Sequence, residues 1–301
     1  MIPSNLAGDT RRRAVDRGIG LFMTGAAATS VVISVAIIAV LFRDAIGFLS
    51  SVDFGTLSDR IWSPRLGRFG ILSPVLGTVW VTLIAALVAG PIGLASAVFL
   101  SEYANPRVRR IIKPIIEVLA SIPSVVIGYF AIRFIAPELV MILFPGSPGK
   151  NLMVAGLGVG LLTIPLMTSV AEDALRAVPQ SLREASYGLG AKKVTTVTRV
   201  VVPAAVSGLV AGMILSISRA IGETMVVFLA AGGTGARPTT PLDGGLTITS
   251  AMASVASGTD NVAGVGNAFQ SIFFLGLLLF LITLSLNVVA DRFVRRVRQK
   301  Y

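Results

Sequence analysis

Charges are spaced along this chain so that long apolar intervals open between them. Gly18 to Phe42 lies uncharged between Arg17 and Arg43, Phe69 to Ser101 between Arg68 and Glu102, Asn151 to Ala171 between Lys150 and Glu172, and Asn261 to Ala290 between Asp260 and Asp291. A bilayer core of about 30 Å is crossed by roughly 20 apolar residues of helix. The pattern therefore predicts spans at about 19–42, 72–100, 152–171 and 268–290. Two more apolar stretches carry charge: 111–136 holds Lys113, Glu117 and Arg133, and 204–231 holds Arg219 and Glu223. Six spans define an all-α integral membrane protein. A membrane domain covers 19–291, with a short N-terminal tail at 1–18, a long loop at 172–203 and a basic tail at 292–301. The first apolar run follows four arginines, as a secretory signal would, but is too long for a signal core of at most about 15 residues. It reads as an uncleaved first helix.

Between spans, 44–68 is polar and contains Trp62 and Pro64, and 232–260 is rich in Gly, Thr and Pro. Within the latter, Leu246 to Ser257 fits either a short helix or a re-entrant piece. Composition agrees with the membrane assignment: 54% of residues are hydrophobic and 14% charged, too few charges to cover soluble domains. With no Cys and no His, disulfides, thiol chemistry and His-based metal or acid–base work lack their side chains. No catalytic group and no metal site is expected.

The net charge of +11 is accounted for by topology. If loops alternate between sides, one side collects 18 of the 26 Lys and Arg residues, from Arg11 to Arg17, Arg107 to Lys113, Arg176 to Arg199 and Arg292 to Lys300. The other collects six: Arg43, Arg60, Arg65, Arg68, Lys150 and Arg237. Basic loops stay in the cytoplasm, so both termini are expected there, in a multi-pass protein of the cytoplasmic membrane. The lipid bilayer is then its medium, and nucleic acid is not an expected partner.

The loop at 172–203 reads as two short helices around a glycine. Ser181 and Glu184 have capping-box spacing, Gly188 and Gly190 end the first helix, and Val194, Val197 and Val201 recur at helical spacing before Pro203. The run Glu184-Ala185-Ser186, three residues, Gly190, nine residues, Val200-Val201-Val202-Pro203 resembles the EAA loop of ABC-importer permeases. It departs only by Ser for the second Ala and Val for Ile and Leu. The resemblance implies a type I importer fold in which Glu184, Ala185, Ser186, Gly190 and Pro203 belong to coupling helices seated on an ATP-binding subunit. The nearest candidate for a phosphate-cradling loop in this chain, Gly188 to Lys193, lacks the required spacing and preceding strand. ATP and Mg are therefore expected in a partner, with no cofactor here.

Arg219 and Glu223, four residues apart, would share one face of a helix and could pair. A buried structural salt bridge and an anion path are both open on spacing alone. Charges in spans cost about 3 kcal/mol each on insertion scales and usually face a bundle interior or a wet path. A guanidinium fork suits phosphate or carboxylate oxygens. Ser218-Arg219-Ala220-Ile221-Gly222-Glu223-Thr224-Met225 resembles the R-A-I-G-E-T-M signature of phosphate-specific transport permeases, and Ser121-Ile122-Pro123-Ser124-Val125-Val126-Ile127-Gly128 resembles their I-P-S-V-V-x-G segment. Leu100 to Ala104, Lys113 to Glu117, and Trp62-Ser63-Pro64 with Phe69-Gly70-Ile71 also match, more as in the C-type subunit than the A-type. The resemblance implies a phosphate pathway at Arg219 and Glu223, flanked by Ser218 and Thr224. It also implies a second homologous permease, two copies of an ATP-binding subunit and an external phosphate-binding protein. Another oxyanion, such as sulfate or molybdate, and a stand-alone channel are the alternatives.

Three further readings follow from position. Arg133 is expected to snorkel to the headgroups, and Lys113 to pair with Glu117. Pro123 is expected to break a span, as a hinge with Ser121 and Ser124 satisfying freed backbone groups. Thr163-Ile164-Pro165 would do the same in the fourth span.

Overall fold

The computed structural model describes residues 10–258 and 266–297. Residues 1–9, Asp260, and Arg298 and Lys300 of the basic tail lie outside the described residues, as do the side chains of Arg11, Arg12 and Arg13. Five helices are long and apolar enough to cross a membrane, and a bent pair brings the number to six.

The first helix, α1 (Thr10–Ser51), is apolar all round and exposed along most of its length. It is seated only near its C-terminal end, where Ala45 and Phe48 are buried. Phe48 meets Phe69 edge-on at 5.0 Å and stacks on Phe274 at 5.3 Å. The centre of the fold is the pair α2 (Leu72–Tyr103) and, three helices later, the span Leu152–Arg176. Small residues let these backbones approach, as in membrane bundles generally: a Cβ on Gly156 would lie 2.7 Å from Ile84, and one on Gly93 would lie 2.6 Å from Met167.

The third expected span is corrected. Residues 111–120 belong to α3 (Pro106–Ala120), capped by Asn105, whose Oδ1 accepts from the Val108 amide at 2.8 Å. Its residues are exposed or half-buried, with Ile111, Ile115, Val118 and Leu119 forming an exposed apolar stripe and Arg107, Arg110 and Glu117 on another face. This is an amphipathic surface helix, and the apolar count misled because its stripe is lipid-like in composition but only one face wide. The crossing helix is α4 (Ser124–Leu143), which includes a π-helical stretch at Ala131–Val140. Pro123 therefore does break the helix, between α3 and α4, but at the start of the crossing helix and not within it. It forms the extended corner (φ −56°, ψ 133°) from which α4 starts, with Ser121 Oγ donating to the Val118 carbonyl at 2.7 Å. Arg133 is exposed and lies 6.0 Å above the Tyr129 ring.

The helix α5 (Leu152–Arg176) runs through Pro165 unbroken, so no second break exists there. Thr163 Oγ1 donates to the Val159 and Gly160 carbonyls. Next come α6 (Gln180–Gly188) and α7 (Lys193–Ala204), the latter bent by 69° from α8 (Val206–Ile221). Pro203, which has no N–H to donate, follows a π-helical turn at Val197–Val201 and precedes this bend. The expected fifth span thus divides: α8 stops at Ile221, and α9 (Met225–Ala230) resumes after Gly222–Thr224. The segment 246–257 resolves as a short helix, α10 (Ile248–Ala256), with Ile248, Ser250, Ala251 and Val255 buried. A last long helix, α11 (Gly266–Val297), packs against α1.

The segments around 54–69 and 232–245 join into one small cap. Strands β1 (Trp62–Ser63) and β2 (Arg68–Phe69) pair antiparallel. The Trp62 amide donates to the Gly235 carbonyl at 2.8 Å and the Arg237 amide to the Arg60 carbonyl at 2.9 Å. Asp243 closes the cap, accepting from the Thr239 and Thr240 amides and the Thr239 hydroxyl, each at 2.8 Å. The Thr240 amide first, and then the Thr239 groups, hold its carboxyl down at about 2.

Candidate functional site

The break between α8 and α9 is built by its own residues. Gly222 offers no side chain to prolong the helix. Glu223 turns its carboxylate onto the next helix, where Oε1 accepts from the Met225 amide at 3.1 Å and the Val226 amide at 3.3 Å. Those are donors that a helix start leaves unsatisfied. The Glu223 carbonyl, itself outside any helical ladder, accepts from Thr249 Oγ1 at 2.6 Å. Thr249 stands in the first turn of α10, where Thr247 and Ser250 form the reciprocal cap that the sequence suggested for Ser181 and Glu184.

Arg219 lies in the last turn of α8, on the other side of the break. Among the described residues it has neither an ion pair nor a side-chain hydrogen bond, and its side chain is exposed. The expected i, i+4 pairing with Glu223 is corrected: the helix ends between the two residues, and Glu223 bonds to backbone amides instead. Ser218 Oγ donates to Asn287 Oδ1 on α11 at 3.0 Å, fixing the turn that carries Arg219. Thr224 Oγ1 donates to the Gly222 carbonyl at 3.3 Å. Thirteen residues along α8 correspond to about 20 Å of rise from the bend at Ala205, and Arg219 stands two residues before the candidate span ends at Ile221. Chemically, the arrangement offers a free planar donor fork at the end of a helix, with the nearby carboxylate occupied elsewhere.

At the basic end of the bundle, the loop at 172–203 forms the two helices expected of it. Helix α6 starts at Gln180, with Pro179 and not Ser181 in the cap position, and no side-chain cap is formed there. Gly190 turns the chain with φ +80°, a conformation that costs other residues about 1 kcal/mol or more. Ser186 Oγ and Thr196 Oγ1, 2.9 Å apart, join α6 to α7. Glu184 and Ala185 are exposed, and Leu189 at the tip is 90% exposed. The knob is rigid inside and apolar at its point.

Two charge clusters that spacing did not reveal hold this end together. Glu172, 1% exposed, accepts from Arg109 Nε at 2.6 Å and lies 3.1 Å from Lys113 Nζ, which also reaches Asp173 at 3.3 Å. Burial acts to lower the Lys113 pKa, but hydrogen bonds and attraction from Glu172 and Asp173 outweigh it and raise it. The expected Lys113–Glu117 pair is therefore not formed, and Lys113 instead binds α3 to α5. Arg183 of α6 lies 2.8 Å from Glu102 at the end of α2, with side chains 11% and 6% exposed, and also donates to the Val178 and Leu175 carbonyls at 2.6 and 2.9 Å. Lys193 of α7 sits 4.8 Å above the Tyr103 ring. The adjacent acids at the end of an apolar run, opposite a basic helix, were the available signal for Glu172. Nothing local marked Thr249, Asn287 or the partner of Arg183.

Residues 89–299 match the family described as binding-protein-dependent transport system inner membrane component. The chain is 33% identical over 307 aligned residues to the phosphate transport system permease protein PstC of Mesorhizobium japonicum, covering 95% of this chain and 92% of that one. Among solved structures, it resembles a chain of a bacterial alginate ABC transporter in complex with alginate pentasaccharide-bound periplasmic protein (TM-score 0.64, 14% identity, 96% of this chain and 98% of that one). It also resembles a chain of the MetNI methionine ABC transporter in inward-facing conformations (TM-score 0.58, 21% identity, 75% and 95%). At these identities the solved structures speak to fold alone, and the fold is that of type I ABC-importer permeases.

Proposed function

Because the chain belongs to the family of binding-protein-dependent transport system inner membrane components, we propose that it is the C-type permease subunit of an ATP-driven importer of inorganic phosphate. Membership makes it a membrane permease subunit and not an enzyme, working with another permease, ATP-binding subunits and a binding protein. In the finer reading, it pairs with one homologous permease, two copies of the ATP-binding subunit bind ATP and Mg, and an external phosphate-binding protein delivers cargo to the cap. The K/R bias supports a cytoplasmic position for both termini and the knob.

The observation that carries this reading is Arg219: a guanidinium without a partner among the described residues, in the last turn of α8 just before a helix break within an apolar run of sequence. Phosphate carries one to two negative charges, and charge-assisted hydrogen bonds to one fork hold it without making release prohibitive. Glu223 keeps the break open by holding α9, leaving the fork free. Closure of the ATP-binding subunits would move the knob from Glu184 to Pro203, and α7 passes that motion across its bend to α8, which changes the side from which Arg219 is reached. Switching, on this account, is a motion of α8.

Phosphate uptake by vesicles holding the full complex tests the reading. Arg219→Ala is expected to lower uptake about 10- to 100-fold, the loss of one charge-assisted hydrogen-bonding group, with the complex still assembled. Undiminished uptake would remove Arg219 from the pathway. Excess sulfate or molybdate is expected not to compete, and competition at equal concentration would reassign the cargo.

A further inference from the structure

The chain itself joins the knob to the membrane helices at both ends, from α5 through Ala177–Pro179 into α6 and from α7 into α8 through the 69° bend at Ala205. A further attachment is made by two neighbouring residues at the end of α2. Glu102 receives the Arg183 guanidinium of α6 at 2.8 Å, and Tyr103 lies under the Lys193 ammonium of α7 at 4.8 Å. Both halves of the knob, joined to each other through Ser186 and Thr196, thus bear on consecutive residues of one helix. Arg183 has no slack: besides Glu102, its fork holds the Leu175 and Val178 carbonyls at the end of α5. The pair is nearly buried, where attraction is screened far less than in water and direction is fixed by the fork.

We propose that Glu102 and Tyr103 are positioning residues for transport, through which movement of the knob reaches α2 as well as α8. This rests on the coupling reading above. The hold on α2 lets a push on the knob act on that helix directly, beside the paths through the chain into α5 and α8. Helix α2 packs along α5 and meets α8, where a Cβ on Gly90 would lie 2.5 Å from Met213. A displacement entering at Glu102 therefore shifts α2 and α8 together, and α8 carries Arg219 in its last turn.

The test is phosphate moved per ATP hydrolysed by the full complex in vesicles, with retention of the ATP-binding subunit measured alongside. Glu102→Gln keeps the shape but not the charge, and is expected to lower the ratio about five-fold or more while the subunit stays bound. Glu102→Asp is expected to restore it to within about two-fold. Tyr103→Leu, which removes only the ring under Lys193, is expected to lower the ratio in the same direction. A wild-type ratio in Glu102→Gln overturns the proposal. So does loss of the ATP-binding subunit from Glu102→Gln, which would make Glu102 an assembly residue. Leu189→Asp at the exposed tip separates the two claims: if that variant still binds the ATP-binding subunit and transports, the coupling reading itself fails. If it abolishes both while Glu102→Gln is normal, only the positioning role fails.

Discussion

Arg219 stands in an apolar span at an insertion cost of about 3 kcal/mol, and no ion pair among the described residues offsets it. That imbalance is what supports the proposal that it meets the cargo. Arg219→Lys keeps the charge but loses the fork, so uptake is expected to fall less than in Arg219→Ala and at lower apparent affinity, read from the phosphate dependence of transport. Thr249→Val removes the donor to the Glu223 carbonyl, a hydrogen bond worth about 1 kcal/mol or somewhat more when buried. Uptake is expected to drop several-fold with assembly intact. At the cap, Asp243 has a carboxyl pKa of about 2 against an ordinary 3.8. Its contribution is complete above pH 3.8 and is lost as pH falls through 2. Protection of the Thr239 and Thr240 amides relative to their intrinsic exchange rates should therefore fall between those values, and Asp243→Asn should remove that fall. Arg219 was legible because a charge in an apolar run is conspicuous. Thr249 was not, since one hydroxyl among the Thr and Ser residues of 247–250 carries no mark of its partner 26 positions away.

Among the elements, uninterrupted apolar length marks the places of four helices long and apolar enough to cross a membrane, Val15–Ser51, Leu72–Tyr103, Leu152–Arg176 and Asn267–Arg296, though they run past the apolar intervals by as much as nine residues. The two that carried charge were misdrawn for related reasons. Residues 111–120 count as apolar, yet their charges gather on one face, the pattern of a helix lying at a surface. The run 204–231 counts as one span, yet Glu223 prefers to start a new helix with its own carboxylate rather than continue the old one. Pairing of α2 with α5 depends on glycines whose role no count of apolar residues reveals. Gly156→Val would press a branched side chain onto Ile84, 2.7 Å from the first added carbon, and overpacking of that kind costs about 1–3 kcal/mol. A lower melting temperature of the purified chain in detergent is expected. Glu172→Ala, leaving Arg109 and Lys113 without their acceptor, is expected to cost somewhat less than the roughly 3–5 kcal/mol of a fully buried pair, because both cations are 28% exposed.

Across the whole molecule, the charge distribution, the broken span and the knob describe a subunit that is incomplete alone. Its first helix is exposed over most of its length, and Tyr129, Phe130 and Phe134 of α4 are exposed apolar surface. The knob presents Leu189 to whatever drives it. The motifs at Glu184–Pro203 and Ser218–Met225 made this role readable from the chain, whereas the ties from Arg183 and Lys193 to α2 required three-dimensional contacts across some 80 to 90 positions. Phosphate accumulation by sealed vesicles, measured with this chain alone and with the full set of subunits, tests the central claim most directly. The account expects no flux through the chain alone and ATP-dependent accumulation once the partner permease, ATP-binding subunits and phosphate-loaded binding protein are present. Phosphate flux through the isolated chain, or accumulation by the complete set that proceeds without ATP, would contradict it.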